Sequence, residues 1–281
     1  MSVYRVGTSG WQYERWRGDF YPAGLPRRSQ LTYLSSQLTS LEINGSFYSL
    51  QRPSSYQRWH DETPDGFVFA VKGGRFITHM RRLQKVEPAL GNFFGSGVLR
   101  LDDKLGPFLW QLPASMRFDA ATLEEFCALL PTTTDEAVDL SRRCADRPAD
   151  KRDDWSPSSP RPCRHAIEAR HATFEDPAFI SILRGHRIAC VLSDSAGDWP
   201  ALDHQTADFS YLRLHGHEEL YASGYDDAAL DGWAARCVEL AAGGRSVYVY
   251  FDNDARGRAP HDAQALLERL TRSRADREGV R

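Results

Sequence analysis

The residues best suited to chemistry sit inside short apolar runs, at two-residue spacing. In HAIEAR (165–170), Glu168 and Arg170 alternate with Ile167 and Ala169. In YLRLH (211–215), Tyr211, Arg213 and His215 alternate with Leu212 and Leu214. In LEIN (41–44), Glu42 and Asn44 alternate with Leu41 and Ile43. Lys72 shares a face with Ala70, Asp252 shares one with Tyr248 and Tyr250, and Asp194 closes IACVLSD. Residues two apart lie on one face of an extended strand, so each run has an apolar face and a face that turns charged toward its C-terminal end. A buried charge is costly unless paired or hydrogen-bonded, and repeating that cost on strand after strand points to a shared site. A carboxylate beside a histidine suits general acid–base catalysis. Cations in a concave pocket suit an anion, and an arginine fork matches phosphate or carboxylate. The bland alternative is that Glu168 with Arg170, or Glu42 with Lys72, forms a structural ion pair plugging the core.

Eight β-branched or apolar runs can position these groups: 4–8, 41–44, 67–72, 108–112, 165–170, 188–194, 209–215 and 247–252. Helical patterns occupy 29–38, 54–62, 120–130, 176–183, 226–242 and 260–270. Asp176-Pro177 reads as a cap followed by a first-turn proline, and Gly243-Gly244 as a C-terminal stop. Alternating strand and helix predicts a parallel sheet with crossover helices. At 281 residues a single closed (β/α)8 barrel of the TIM type, spanning 1–270, is the economical solution. An open doubly wound sheet is the rival, weakened because Gly7-Thr8-Ser9-Gly10 lacks the third glycine of a dinucleotide fingerprint. In a barrel, all the charged strand ends converge on one mouth.

Further candidates flank that mouth. His79 follows the third strand, Gln111 precedes Pro113, and Trp11, Tyr48, Tyr221 and Tyr225 fall in loops that line a pocket or cover the rim. Residues 145–162, rich in proline, serine and charge, read as a polar insertion loop or lid, and 271–281 as a charged, disordered tail. Lys and Arg total 35 against 38 Asp and Glu, a net charge of −3 that gives no drive toward nucleic acid or an anionic membrane. Five cysteines without C-x-x-C spacing argue for reduced thiols rather than disulfides or a zinc ribbon. No leader pattern and no apolar run near a membrane span is present, so a soluble cytoplasmic protein is expected.

The segments GTSGWQYERWRGDFYPAGLP (7–26) and LEINGSFYSLQRPSSYQRWHDETPDGFVFAVKGGRFITH (41–79) resemble the domain of unknown function 72 family, the YecE-like proteins. LGPFLWQLP (105–113), AIEARH (166–171), SDSAGDWP (193–200), YLRLHG (211–216), LYASGYDDAALDGWA (220–234) and VYVYFDND (247–254) extend the resemblance over nearly the whole chain. It implies one TIM-barrel-like domain and marks Asn253, within the Asp252-Asn253 pair, as a further candidate. It supplies no reaction.

The constellation favours an enzyme acting on a phosphorylated or otherwise anionic small molecule, through hydrolase or lyase/isomerase acid–base chemistry. Arg170, Arg213 and Lys72 are expected to hold the anion, Glu168 or Glu42 to act as base and His215 as acid, with Asp194 in reserve. Asn44, Trp11, Tyr48, His79, Gln111, Tyr225 and Asn253 are the binding candidates. A divalent metal on Glu42, Glu168, Asp194 and His215, as in a phosphodiesterase or sugar isomerase, is the alternative. Arginines two residues from Glu168 and His215 compete for its carboxylates, and no H-E-x-x-H spacing strengthens it. A glycosidase ranks lower, because neighbouring cations keep both acids ionised. A non-catalytic module for an anion or nucleic acid is the non-enzymatic reading. The residues name no cofactor and no oligomeric state.

Overall fold

The computed structural model describes residues 4–148 and 152–279, with side chains described to Ser273 in the last helix. All eight expected strands form: β1 Tyr4–Thr8, β2 Ser40–Ile43, β3 Val68–Lys72, β4 Leu105–Gln111, β5 His165–Glu168, β6 Ala189–Asp194, β7 Phe209–Leu214 and β8 Ser246–Phe251. They make one eight-stranded parallel sheet in the order β1-β8-β7-β6-β5-β4-β3-β2. Its two ends meet. The amide of Thr39 donates to Val6 O at 3.2 Å, that of Gly10 to Glu42 O at 2.9 Å, and Ser9 bridges Glu42. The sheet is thus nearly closed into a (β/α)8 barrel. Gly7 permits this seam, because a Cβ there would lie 2.0 Å from the Ser40 carbonyl oxygen.

The helices are α1 Gln30–Gln37, α2 Gly45–Tyr48, α3 Pro53–Asp61, α4 Glu87–Phe94, α5 Ala120–Leu129, α6 Thr134–Cys144, α7 Pro177–Gly185, α8 Asp227–Leu240 and α9 Ala259–Gly279. The six expected helical segments correspond to α1, α3, α5, α7, α8 and α9. The short α2 and the longer α4 and α6 are additional. α9 continues through the charged segment that the sequence marks as a tail. No described helix is long and apolar enough to cross a membrane.

Two apolar layers result from strand alternation. Val71, Trp110, Ile167, Cys190, Leu192, Leu212 and Val249 pack outward under the helices. Val68, Ala70, Leu109, Ala166, Ala189, Val191, Phe209, Tyr211, Tyr248 and Tyr250 fill the barrel interior. Strand β4 begins three residues before its expected start, at Leu105, despite Pro107. The β3–β4 register shifts between Phe69 and Val71, so the proline sits at a bulge where no ladder donor is required.

The 145–162 segment joins α6 to β5, so it lies at the N-terminal end of the strands, away from the mouth. Residues 149–151 of it lie outside the described residues. The remainder is tied down: Arg100 makes two hydrogen bonds to the Asp153 carboxylate at 2.6 and 2.8 Å, and Arg161 donates to Asp102 at 2.8 Å. These described parts of the segment are thus fastened away from the strand C-termini.

Candidate functional site

Arg213, third inward residue of β7 after Phe209 and Tyr211, is fully buried at the C-terminal end of the barrel. Its guanidinium makes five hydrogen bonds to four residues from four other strand ends. Nε reaches Glu42 Oε2 at 3.1 Å, and one terminal nitrogen reaches Glu168 Oε2 at 2.8 Å. The other terminal nitrogen reaches Glu42 Oε1 at 2.8 Å, Ser9 Oγ at 2.8 Å and Asp252 Oδ2 at 3.0 Å. Ser9 Oγ donates to Glu42, and Tyr211 Oη donates to Glu42 Oε2 at 2.6 Å. One arginine thus holds together carboxylates from β2, β5 and the end of β8.

Glu168 is equally committed. Besides Arg213, its Oε1 lies 3.1 and 3.0 Å from two nitrogens of Arg170, 3.3 Å from Ser193 Oγ and 3.0 Å from His215 Nε2. Burial alone would raise its pKa, but the Arg170 and Arg213 guanidiniums and His215 hold it well below the usual carboxylate range. Asp252 behaves alike: burial opposes ionisation, yet Arg213 and His215 keep it below its ordinary value. His215 stands between the two acids. Its Nδ1 is 3.2 Å from Asp252 Oδ2 but off the hydrogen-bond direction, which leaves that nitrogen buried without a bond.

Lys72 differs from these groups. It is the last inward residue of β3, after Val68 and Ala70, and only 8% exposed. Its ammonium lies 4.5 Å from the centroid of the Phe47 ring and meets no carboxylate or hydrogen-bond acceptor among the described residues. Burial, followed by repulsion from Arg213, pulls its pKa down to about 8. The Ser46 hydroxyl donates to the Lys72 carbonyl at 2.6 Å, fixing the turn that carries Phe47. Gly73 follows because a Cβ there would sit 2.3 Å from the Trp110 ring. His79, on a single π-helical turn Phe76–Met80, stacks edge-on against Phe47 at 5.0 Å. Burial lowers its pKa, and so do Lys72, Arg170 and Arg75.

Arg170 completes the mouth from just beyond β5. Its third hydrogen bond goes to Tyr221 Oη at 2.9 Å, and its guanidinium covers the Trp199 ring at 4.1 Å. Of its five N–H groups, three are used and two stay open. Tyr221 adopts the left-handed backbone region at φ +62°, uncommon for a non-glycine residue and often seen at functional sites.

Comparison with known proteins places this arrangement in a family. The model described as "Protein of unknown function DUF72" matches residues 5–280. The chain belongs to the DUF72 family. It is 24% identical over 297 residues, covering 94% of both chains, to a Bacillus subtilis protein named UPF0759 protein YunF. A DUF72 family protein from Thermotoga maritima superimposes with a TM-score of 0.75 at 24% identity, covering 96% of this chain and 99% of that one. One from Enterococcus faecalis gives 0.72 at 16% identity, over 96% of each.

Within this DUF72 barrel, Glu42, Lys72, Glu168, Arg170, Arg213 and His215 gather at one end, with His79 beside Lys72. Asn44 joins them, donating to Ser9 Oγ at 2.8 Å and keeping Oδ1 buried without a partner. Gln111, buried at the end of β4, pairs in register with Glu168. Tyr48 is 71% exposed on the outer rim. Other candidates lie elsewhere. Asp194 falls on the outward alternation of β6 with Cys190 and Leu192, while Ser193 points inward to Glu168; its carboxylate meets His217 Nδ1 at 3.3 Å. Tyr225 is buried, accepting from the Gly216 amide at 3.1 Å and packing on Phe251. Asn253 donates its amide to the Ser223 carbonyl and Asp262, at 2.9 and 2.7 Å, and keeps Oδ1 buried without a partner. Trp11 stacks on Trp59, 5.3 Å away.

Asp252, Ser9 and Trp199 are members of the network or its rim that the candidate set omits. Asp252 was readable from the alternation of β8, whereas Ser9 and Trp199 reach the site through loop geometry. Among the described residues, no group of three or more His, Cys, Asp or Glu side chains is placed to hold a metal. Glu42 and Glu168 are joined through Arg213, and Asp194 faces away from both.

Proposed function

We propose that this DUF72 protein is an enzyme that holds a small carboxylate- or phosphate-bearing substrate at the barrel mouth and transfers protons there. Lys72 carries the reading: a buried ammonium with no protein counter-ion costs stability unless another group uses it. The roles divide by what each side chain has left to offer. Arg213, Glu42 and Glu168 spend their polar atoms on one another and act as the scaffold. Lys72, the open N–H groups of Arg170 and His79 face the ligand. His215, between the Glu168 and Asp252 carboxylates, is suited to pass protons. Lyase or isomerase chemistry is favoured over hydrolysis, because the groups left to face the ligand are an amine and an imidazole, while Arg213 helps hold the Glu168 and Asp252 carboxylates ionised.

A thermal-shift series with phosphate, sulfate and small carboxylates tests this reading. An anion present at about 100 times its Kd adds about 2.7 kcal/mol to stability, a shift of several degrees. Arg170→Ala and Lys72→Met are expected to lose that shift while still folding. Equal responses in wild type and both variants would sink the proposal.

A further inference from the structure

The chain uses arginine for nearly every cation: of its 35 basic residues, only four are lysines, at 72, 85, 104 and 151. Lys85 is exposed, and Lys104 donates to the carbonyls of His60 and Thr63 at 2.6 Å each, closing off its nitrogen. Lys151 lies outside the described residues. Lys72 thus combines burial in the candidate site with a nitrogen free of protein acceptors. An arginine would serve better for fixed anion recognition, because its fork binds carboxylate or phosphate through two parallel bonds. What an amine can do and a guanidinium cannot is lose its proton near neutral pH and attack carbon. Lysines used this way are desolvated against apolar groups or placed next to another cation. Lys72 has both, in the Phe47 ring and the Arg213 guanidinium.

We infer that Lys72 is a nucleophile that forms an imine with an aldehyde or ketone substrate bearing a carboxylate or phosphate. The inference rests on the anion-binding reading of this mouth and adds the substrate's second functional group. The neutral amine of Lys72 attacks the carbonyl carbon, and the carbonyl oxygen takes up a proton to give a carbinolamine. That hydroxyl takes a second proton and leaves as water while the carbon–nitrogen double bond forms. Overall, an ammonium and a carbonyl become an iminium and water, so neither an oxidant nor a reductant is consumed. The iminium withdraws electrons from the adjacent carbon, which eases loss of a proton or cleavage of a carbon–carbon bond there. His79 shares the Phe47 ring with Lys72, and its depressed pKa leaves it neutral and able to relay these protons. Arg170 is placed to take the anionic group with its two open N–H bonds.

Reductive trapping tests this on the intact chain. Protein is incubated with pyruvate or dihydroxyacetone phosphate and sodium cyanoborohydride, with acetone as a ketone lacking the anion, and the adducts are mapped by mass spectrometry. The expected result is one adduct per chain, on Lys72, formed at least about tenfold faster with the anionic ketones than with acetone. Its rate should climb as pH approaches 8 and then level. Burial, then Arg213, pulls that midpoint down, and Glu42, Asp252 and Glu168 pull it up. Lys72→Arg should abolish the adduct, and exposed Lys85 is the internal control for indiscriminate labelling. Trapping spread over Lys85 and the chain terminus, or none at all, would overturn the imine. If phosphate or a carboxylate still raises the melting temperature in that case, anion binding stands alone. If it does not, both readings fall.

Discussion

Replacing Lys72 with methionine keeps an unbranched stem and removes a buried charge that no carboxylate neutralises. Stability should stay level or rise by about 1 kcal/mol while ligand response disappears, the pattern expected where function is held at a cost to the fold. The linkage sign follows from the depressed pKa. Between about 8 in the folded protein and the ordinary 10.5 in the unfolded chain, only the unfolded chain holds this proton. Stability therefore rises with pH across that window, by one proton's worth of slope. Urea titrations from pH 7 to 10 should show this slope in wild type and lack it in the variant. Arg213→Met predicts the opposite. It strands Glu42, Glu168 and Asp252 together without their shared partner, and breaking a buried pair typically costs about 3–5 kcal/mol. A melting temperature within a degree of wild type would contradict the keystone role. These partnerships were only half legible beforehand. Alternation assigns a face to each residue, but which strand ends share an arginine depends on stagger around the barrel. Asp194 shows the limit: its place at a strand end suggested the site, while its parity with Cys190 and Leu192 turns it outward.

The strands were legible because period-two patterning and apolar runs survive in each, down to the four-residue β2 and β5. The helices α4 and α6 were not. In α6 the obscuring run Thr132-Thr133-Thr134 resembles a loop, yet it is the helix start. Thr133 Oγ1 accepts from the Glu136 amide at 3.2 Å, and the Glu136 carboxylate accepts from the Thr132 amide at 2.6 Å, a capping box shifted by one residue. In α4 the glycines at 91 and 95 hide a helix whose close contact requires them. A Cβ on Gly91 would come within 2.5 Å of the Ala145 amide nitrogen. Two glycine substitutions separate seam from surface. Gly7→Ala drives a methyl group into the Ser40 carbonyl, a backbone atom that cannot swing aside, and should cost about 3 kcal/mol or more by opening the β1–β2 closure. Gly232→Ala, inside α8 with nothing within 4 Å of the added carbon, should stabilise by about 1 kcal/mol. Thermal unfolding of the two variants reads both signs directly.

The barrel separates its two ends by role, and that separation has a measurable consequence. Every polar group of the candidate site rises from a strand C-terminus or the loop just after it. The segment around 152–162 is fastened at the opposite end, by Arg100 to Asp153 and by the Thr133–Pro162 bridge. In barrels of this type the C-terminal face carries chemistry and the N-terminal face carries stability. Asp153 is the deciding residue. Its carboxylate is 9% exposed and receives two bonds from Arg100, so Asp153→Ala leaves a partly buried guanidinium without its acid. A loss of about 1–3 kcal/mol is expected. Because the pair and the mouth share no partners, the effects of the mutation and of a bound anion should add. Melting curves of wild type and Asp153→Ala, each with and without the best anion from the thermal-shift series, should therefore differ in baseline and agree in increment. An increment that shrinks in the variant would mean that the segment reaches the site after all, against the connection from α6 to β5 that places it at the far end.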